Sequence, residues 1–132
     1  MAIKLNLEPT DPLTYKRAVA IPTPDGKPLK IEFTFKHRTR EELAALFDAY
    51  LAKAKAAADE EADTERVSLV EATKAAIARD VEAVLDVASD WNVDKYPFDA
   101  ESLTKFLSIY PGAAVAIATD YRVSHTEGRL GN

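Results

Sequence analysis

An α+β fold is predicted for this chain by a change of hydrophobic period. The first quarter alternates with period two, as half-buried strands do, and the remainder carries apolar stripes at helical spacing. Leu29, Ile31, Phe33 and Phe35 alternate strictly with Lys30, Glu32, Thr34 and Lys36. From Thr39 onward Leu43, Leu46, Phe47, Tyr50 and Leu51 fall on one helical face. A chain of 132 residues that is 47% hydrophobic can bury one continuous core, so residues 1–132 read as a single domain. Its β-rich part covers 1–38, its helical part 39–127, and a tail follows over 128–132. The expected architecture is an N-terminal antiparallel hairpin or small meander packed on three to four helices.

The first strand of the hairpin lies upstream, where Leu13, Tyr15, Val19 and Ile21 share a side and Arg17 is the exception. Pro24, Asp25 and Gly26 between the two runs suit a tight reversal. Ile3, Leu5 and Leu7 also alternate and predict a third strand before the break from Pro9 to Pro12. Thr39 and Glu42 have the spacing of a capping box, so the first helix starts there. Over 55–66 the sequence turns acidic and alanine-rich without large apolar residues, which suits either a solvated extension of the helix or a mobile connection.

A second helical stripe runs from about Val67 through Val70, Ile77, Val81, Val84, Leu85 and Ala88 and ends in a loop near Trp91. A third helix starts at Asp99, which can cap it, with Phe98 and Leu103 placed as a hydrophobic staple. Pro111 and Gly112 end that helix. Residues 113–123 mix alanine with β-branched residues and are read as helix, with Ile117, Ala118 and Tyr121 inward.

Composition narrows the function classes. No cysteine is present, which removes disulfides, thiolate metal sites and a cysteine nucleophile. The N-terminal residues lack the unbroken apolar run of a signal peptide or a membrane span, so a cytoplasmic protein with no membrane partner is expected. A net charge of −5 repels phosphate backbones, which argues against nucleic acid as a partner.

No catalytic motif stands out, and the chain is read as a non-enzyme with no cofactor. None of the serines sits in a nucleophile context, and the four glycines are too dispersed for a phosphate-cradling loop. His37 and His125 lie far apart in sequence and read as ordinary surface residues. Acidic residues along the helices, such as Asp86 and Asp90, read as a solvated face.

One constellation supports an alternative reading as a calcium- or metal-binding helix-loop-helix module. Asp90, Asn92, Asp94 and Glu101 occupy the first, third, fifth and twelfth positions of a calcium loop. Against it, Lys95 stands where glycine is expected and Pro97 where a backbone donor couples paired loops. The preferred reading of the same residues is a capped helix start after an Asx-rich turn, with no metal.

Two features are candidates for partner contact. Lys36, Arg38 and Arg40 cluster with His37 where the hairpin passes into the first helix, and such a patch suits an acidic protein surface. Trp91, Tyr96 and Phe98 crowd one loop; core is the better reading for the group, and Tyr96 is the residue expected to face a partner.

Taken in order, FKHRTREELAALFDAY (35–50), then WNVDKYPFDAESLTKFLSIYPGAAVAIATDY (91–121) and an ending in RLGN resemble the tail assembly chaperones of long-tailed bacteriophages. The resemblance covers roughly the helical two-thirds of the chain. It implies a protein that binds the tape measure protein, keeps it soluble and helps recruit tail tube subunits in the bacterial cytoplasm, and that is absent from the finished virion. A homo-oligomer is compatible with such a role. No individual binding residue carries over from the family.

Overall fold

The computed structural model describes residues 2–8, 13–63 and 68–128. Strands β1 (Thr14–Ile21) and β2 (Leu29–Lys36) form the expected hairpin, with Thr14 opposite Lys36 and Ile21 opposite Leu29. The reversal is built as its residues suggest. The Gly26 N–H donates to the Thr23 carbonyl at 3.1 Å, and Gly26 holds φ +80°, which costs a glycine nothing because it has no Cβ. Val19, Ile21, Ile31, Phe33 and Phe35 all point inward and are buried. Arg17, the break in the alternation, is inward as well. Its guanidinium meets Asp120 through Nε–Oδ1 at 2.9 Å and Nη2–Oδ2 at 3.3 Å, so a forked ion pair occupies the place of an apolar contact.

Helix α1 (Arg40–Asp63) opens on the expected capping box. The Thr39 N–H donates to Glu42 Oε1 at 2.9 Å, and the Glu42 N–H donates to Thr39 Oγ1 at 3.2 Å. The acidic stretch extends this helix through Asp63, and residues 64–67 lie outside the described ones. Helix α2 (Leu69–Val87) is seen from its N-cap Ser68, whose Oγ accepts from the Glu71 N–H. The start expected at Val67 lies outside the described residues. Helix α3 (Ala100–Ile109) is capped by Asp99, which accepts from the Ser102 N–H at 2.8 Å. Helix α4 (Ala113–Thr126) follows after the Pro111–Gly112 break.

Between α2 and α3 the chain forms a strand, β3 (Ala88–Trp91), where a helix end and a loop were expected. It pairs antiparallel with β2, Phe33 opposite Trp91 and Phe35 opposite Ala88, with a register shift between Thr34 and Phe35. The sheet order is β1-β2-β3. Four residues without a β-branched side chain carry almost no strand signal of their own; pairing with β2 is what makes them a strand. Helices α2 and α4 pack on the sheet, and α3 packs on α2. Phe33, Phe35, Leu103, Ile117 and Tyr121 lie at the centre of the core.

Other expectations are corrected. Ile3, Leu5 and Leu7 form no strand; among the described residues nothing pairs with them, and they are 83%, 75% and 83% exposed. Leu13, just before β1, and Leu29, the first residue of β2, share the inward parity of the hairpin yet remain exposed. Leu51 and Val70 are exposed although they continue apolar stripes, and Ala118 is exposed beside the buried Ile117.

Candidate protein-docking groove

The loop after β3 and the face of α3 build a groove together. Trp91 anchors it: its ring is 8% exposed, and its indole N–H donates to the Tyr96 carbonyl at 2.9 Å. That bond folds residues 92–96 back on themselves, and Lys95 accommodates the reversal at φ +69°. The side chain of Tyr96 is thereby left pointing outward, 56% exposed. Phe98 and Phe106 meet Trp91 edge to face, with centroids 5.6 Å and 5.4 Å away, an arrangement favoured by the ring quadrupoles.

Helix α3 presents Ser102, Phe106 and Ile109 along one face at helical spacing, and β2 contributes Leu29 and Ile31 from the other side. Together they enclose an open groove of about 550 Å³. Leu29, Tyr96 and Ile109 leave a good part of their apolar surface in water. The charged residues lining the groove are Lys30 and Lys105, on a protein whose net charge is −5. Lys105 has a solvated partner in Glu101 at 3.6 Å.

The residues expected to contact a partner divide into two kinds. Tyr96 lines the groove and Arg40 is exposed at the start of α1. Lys36 and Arg38 are turned inward. Lys36 Nζ donates to the Leu85 carbonyl at 2.9 Å, a cation on the carbonyl end of α2 where the helix dipole favours it. Arg38 Nη1 donates to Tyr121 Oη at 2.9 Å, and Tyr121 in turn donates to the Lys36 carbonyl at 2.6 Å. Their basic heads are thus committed to internal bonds.

Residues of the calcium-loop reading are engaged in other bonds. Asp90 lies in β3 and accepts from the Trp91 N–H, while Asn92 Oδ1 accepts from the Glu32 N–H at 2.8 Å. The Asp90 and Asn92 side-chain oxygens thus serve backbone N–H groups of the sheet. Among the described residues no group of three or more His, Asp or Glu is placed to hold a metal.

The two histidines come together. His37 and His125 stack with centroids 5.6 Å apart. His125 Nε2 accepts from the Arg38 N–H at 3.3 Å, so the neutral ring carries its proton on Nδ1, which lies 2.9 Å from both the Tyr121 carbonyl and Tyr15 Oη. Tyr15 is then free to donate to Ser124 Oγ at 2.9 Å. Burial, with help from His37 and Arg38, pushes His125 below its ordinary pKa, although its bond to the Tyr121 carbonyl opposes the shift. No spacing rule links positions 37 and 125; only the packing of α4 beside β1 does.

The family described as phage tail assembly chaperone matches residues 1–132. The chain belongs to that family. No curated protein and no solved structure matches it. In this tail assembly chaperone no helix among the described residues is long and apolar enough to cross a membrane. Sequence reasoning singled out Tyr96 but not Leu29, Lys30 or Ile109. A signal existed at Ile109, an isoleucine beside the Tyr110–Pro111 break that the α3 stripe did not require.

Proposed function

We propose that this chaperone binds the tape measure protein through the Tyr96 groove, keeps it soluble and helps bring tail tube subunits to it in the host cytoplasm. The observation that supports this reading is the exposed apolar lining of the groove, on a chain whose whole length matches the family. A long helical partner exposes apolar surface before assembly, and a concave apolar site on a charged body shields such surface reversibly. In this reading the chain acts as one domain without catalysis, and Arg40 supplies a peripheral charge contact. Lys36 and Arg38 contribute by fixing the strand-to-helix junction.

Co-expression with the candidate tape measure protein, followed by size-exclusion chromatography with light scattering, tests the proposal. Co-elution in a large soluble complex is expected, and Ile109→Asp with Tyr96→Ser is expected to abolish it, since both side chains are exposed and their replacement leaves the core intact. A tape measure protein that aggregates equally with and without this chain would overturn the reading.

A further inference from the structure

Helix α4 carries more apolar surface than the core uses. Ala113, Ile117 and Tyr121 form its buried stripe. A second stripe of Ala114, Val115 and Ala118 runs beside it at helical spacing, and there Val115 is 70% exposed and Ala118 is exposed as well. Across from that stripe stand Ala83 and Val84 of α2 and Phe47 of α1. The three helices leave a cleft of about 250 Å³ between them, and Phe47 is only half covered there.

The charged residue lining this cleft is Asp80 of α2, beside Pro111. Its neighbours on α2 are engaged, Glu82 with Lys53 and Asp86 with Tyr50. Among the described residues the Asp80 carboxylate makes no hydrogen bond or ion pair. Desolvation by its surroundings raises its pKa above the ordinary carboxylate value, and the charge of Arg79 opposes that shift. A carboxylate at the rim of an apolar cleft gains most from a cation that arrives with apolar neighbours, because the arriving surface pairs the charge and excludes water from it together.

The walls also limit the shape of a guest. All three are helices, whose backbone N–H and C=O groups are spent within each helix. A segment that enters must satisfy its own backbone, which a helix does and an isolated strand does not. Ala83, Ala114 and Ala118 keep the floor low, so that a helix can approach closely.

We infer that the cleft between α1, α2 and α4 is a second docking surface, which takes a basic amphipathic helix of another protein. The guest lays its apolar residues over Val115 and Phe47 and sets a lysine or arginine on Asp80. Lysines line the Tyr96 groove and an aspartate lines this cleft, so the two surfaces select segments of opposite charge. The inference stands on the cleft alone and does not rest on the Tyr96 groove.

The test uses the full chain and two synthetic amphipathic helices of about 18 residues, or five turns, identical except for arginine or glutamate at the centre of the leucine face. Calorimetry should give the arginine peptide a Kd of about 100 µM or tighter and the glutamate peptide one about tenfold weaker. Backbone amide shifts should fall on Ala83, Ala114 and Ala118. Asp80→Lys should reverse the preference between the peptides. Val115→Asp and Ala118→Glu, both at exposed positions, should each abolish binding with an unchanged melting temperature. Equal binding of the two peptides, an unreversed preference in Asp80→Lys, shifts confined to the Tyr96 groove, or no binding at about 1 mM peptide would each overturn the inference. So would light scattering in which Val115→Asp turns an oligomer into a monomer, since the occupant would then be a second copy. Tyr96→Ser with Ile109→Asp should leave peptide binding unchanged, which keeps a failure of either surface distinct from a failure of the other.

Discussion

Helices α1 and α4 look alike as sequences, both alanine-rich and punctuated by aromatic residues, yet they are held in different ways. Along α4, Ala113, Ile117, Tyr121 and Ser124 are buried at successive turns. Its polar groups are spent on the hairpin: Asp120 on Arg17, Tyr121 on the Lys36 carbonyl, Ser124 and His125 on Tyr15. Along α1, no side chain between Arg40 and Glu60 is fully buried. Its apolar stripe of Leu43, Leu46, Phe47 and Tyr50 is only half covered. Its polar ties to α2 include Tyr50 Oη, which lies 3.2 Å from Asp86 Oδ2 and 3.3 Å from the Ala83 carbonyl, and a solvated Lys53–Glu82 pair at 3.9 Å. An amphipathic stripe therefore makes a helix in both places, but it secures the helix only where a second layer closes over the stripe and pairs its polar atoms.

The comparison can be broken most directly in the core that α4 covers. Phe35→Ala, which empties a side chain with no exposed surface, should cost about 3–5 kcal/mol by chemical denaturation, whereas Phe47→Ala on α1 should cost about 1 kcal/mol. Equal losses would mean that α1 is as firmly seated as α4. Next in size, Tyr121→Phe removes the hydroxyl that joins Arg38 to the Lys36 carbonyl and should cost about 1–3 kcal/mol, with a shift in the Lys36 and Arg38 amide resonances.

Acid should loosen α4 before α1. His125 has its folded pKa below the ordinary 6.5, so the unfolded chain takes up this proton more readily. The stabilising contribution is complete above 6.5 and is lost as pH falls below it toward the folded value. Protonation would also place an Nε2 donor against the Arg38 N–H donor. Thermal unfolding followed from pH 7.5 to 5 should show this loss, and His125→Gln should show less of it. The smallest effect belongs to α1's outer face: Leu51→Ala, 70% exposed, should change stability by less than about 0.5 kcal/mol. Hydrogen exchange sharpens the contrast further, since amides in the outer half of α1 should exchange faster than those of α3 and α4.

The groove shows how much of a binding site was readable in advance. Tyr96 stood out because an aromatic residue between Lys95 and Pro97 in a loop has little to pack on. Its neighbours in the site did not stand out. Leu29 looked like one more inward residue of an alternating strand, and Lys30 like one more solvated lysine. The two histidines are a similar case: each was unremarkable alone, and their meeting depends on α4 returning beside β1.

The sequence by itself determined the hairpin with its Gly26 turn, the capping box at Thr39, the Asp99 cap, the stop at Pro111–Gly112 and the α+β class. Each depends on residues within a few positions of one another, where backbone preference and side-chain-to-backbone bonds act locally. Only the tertiary structure decided the strand at Ala88–Trp91, the exposure of Leu5, Leu29 and Leu51, and the inward turn of Lys36 and Arg38. These depend on which surfaces meet across long stretches of chain, and apolar periodicity states that a face must be covered without saying by what.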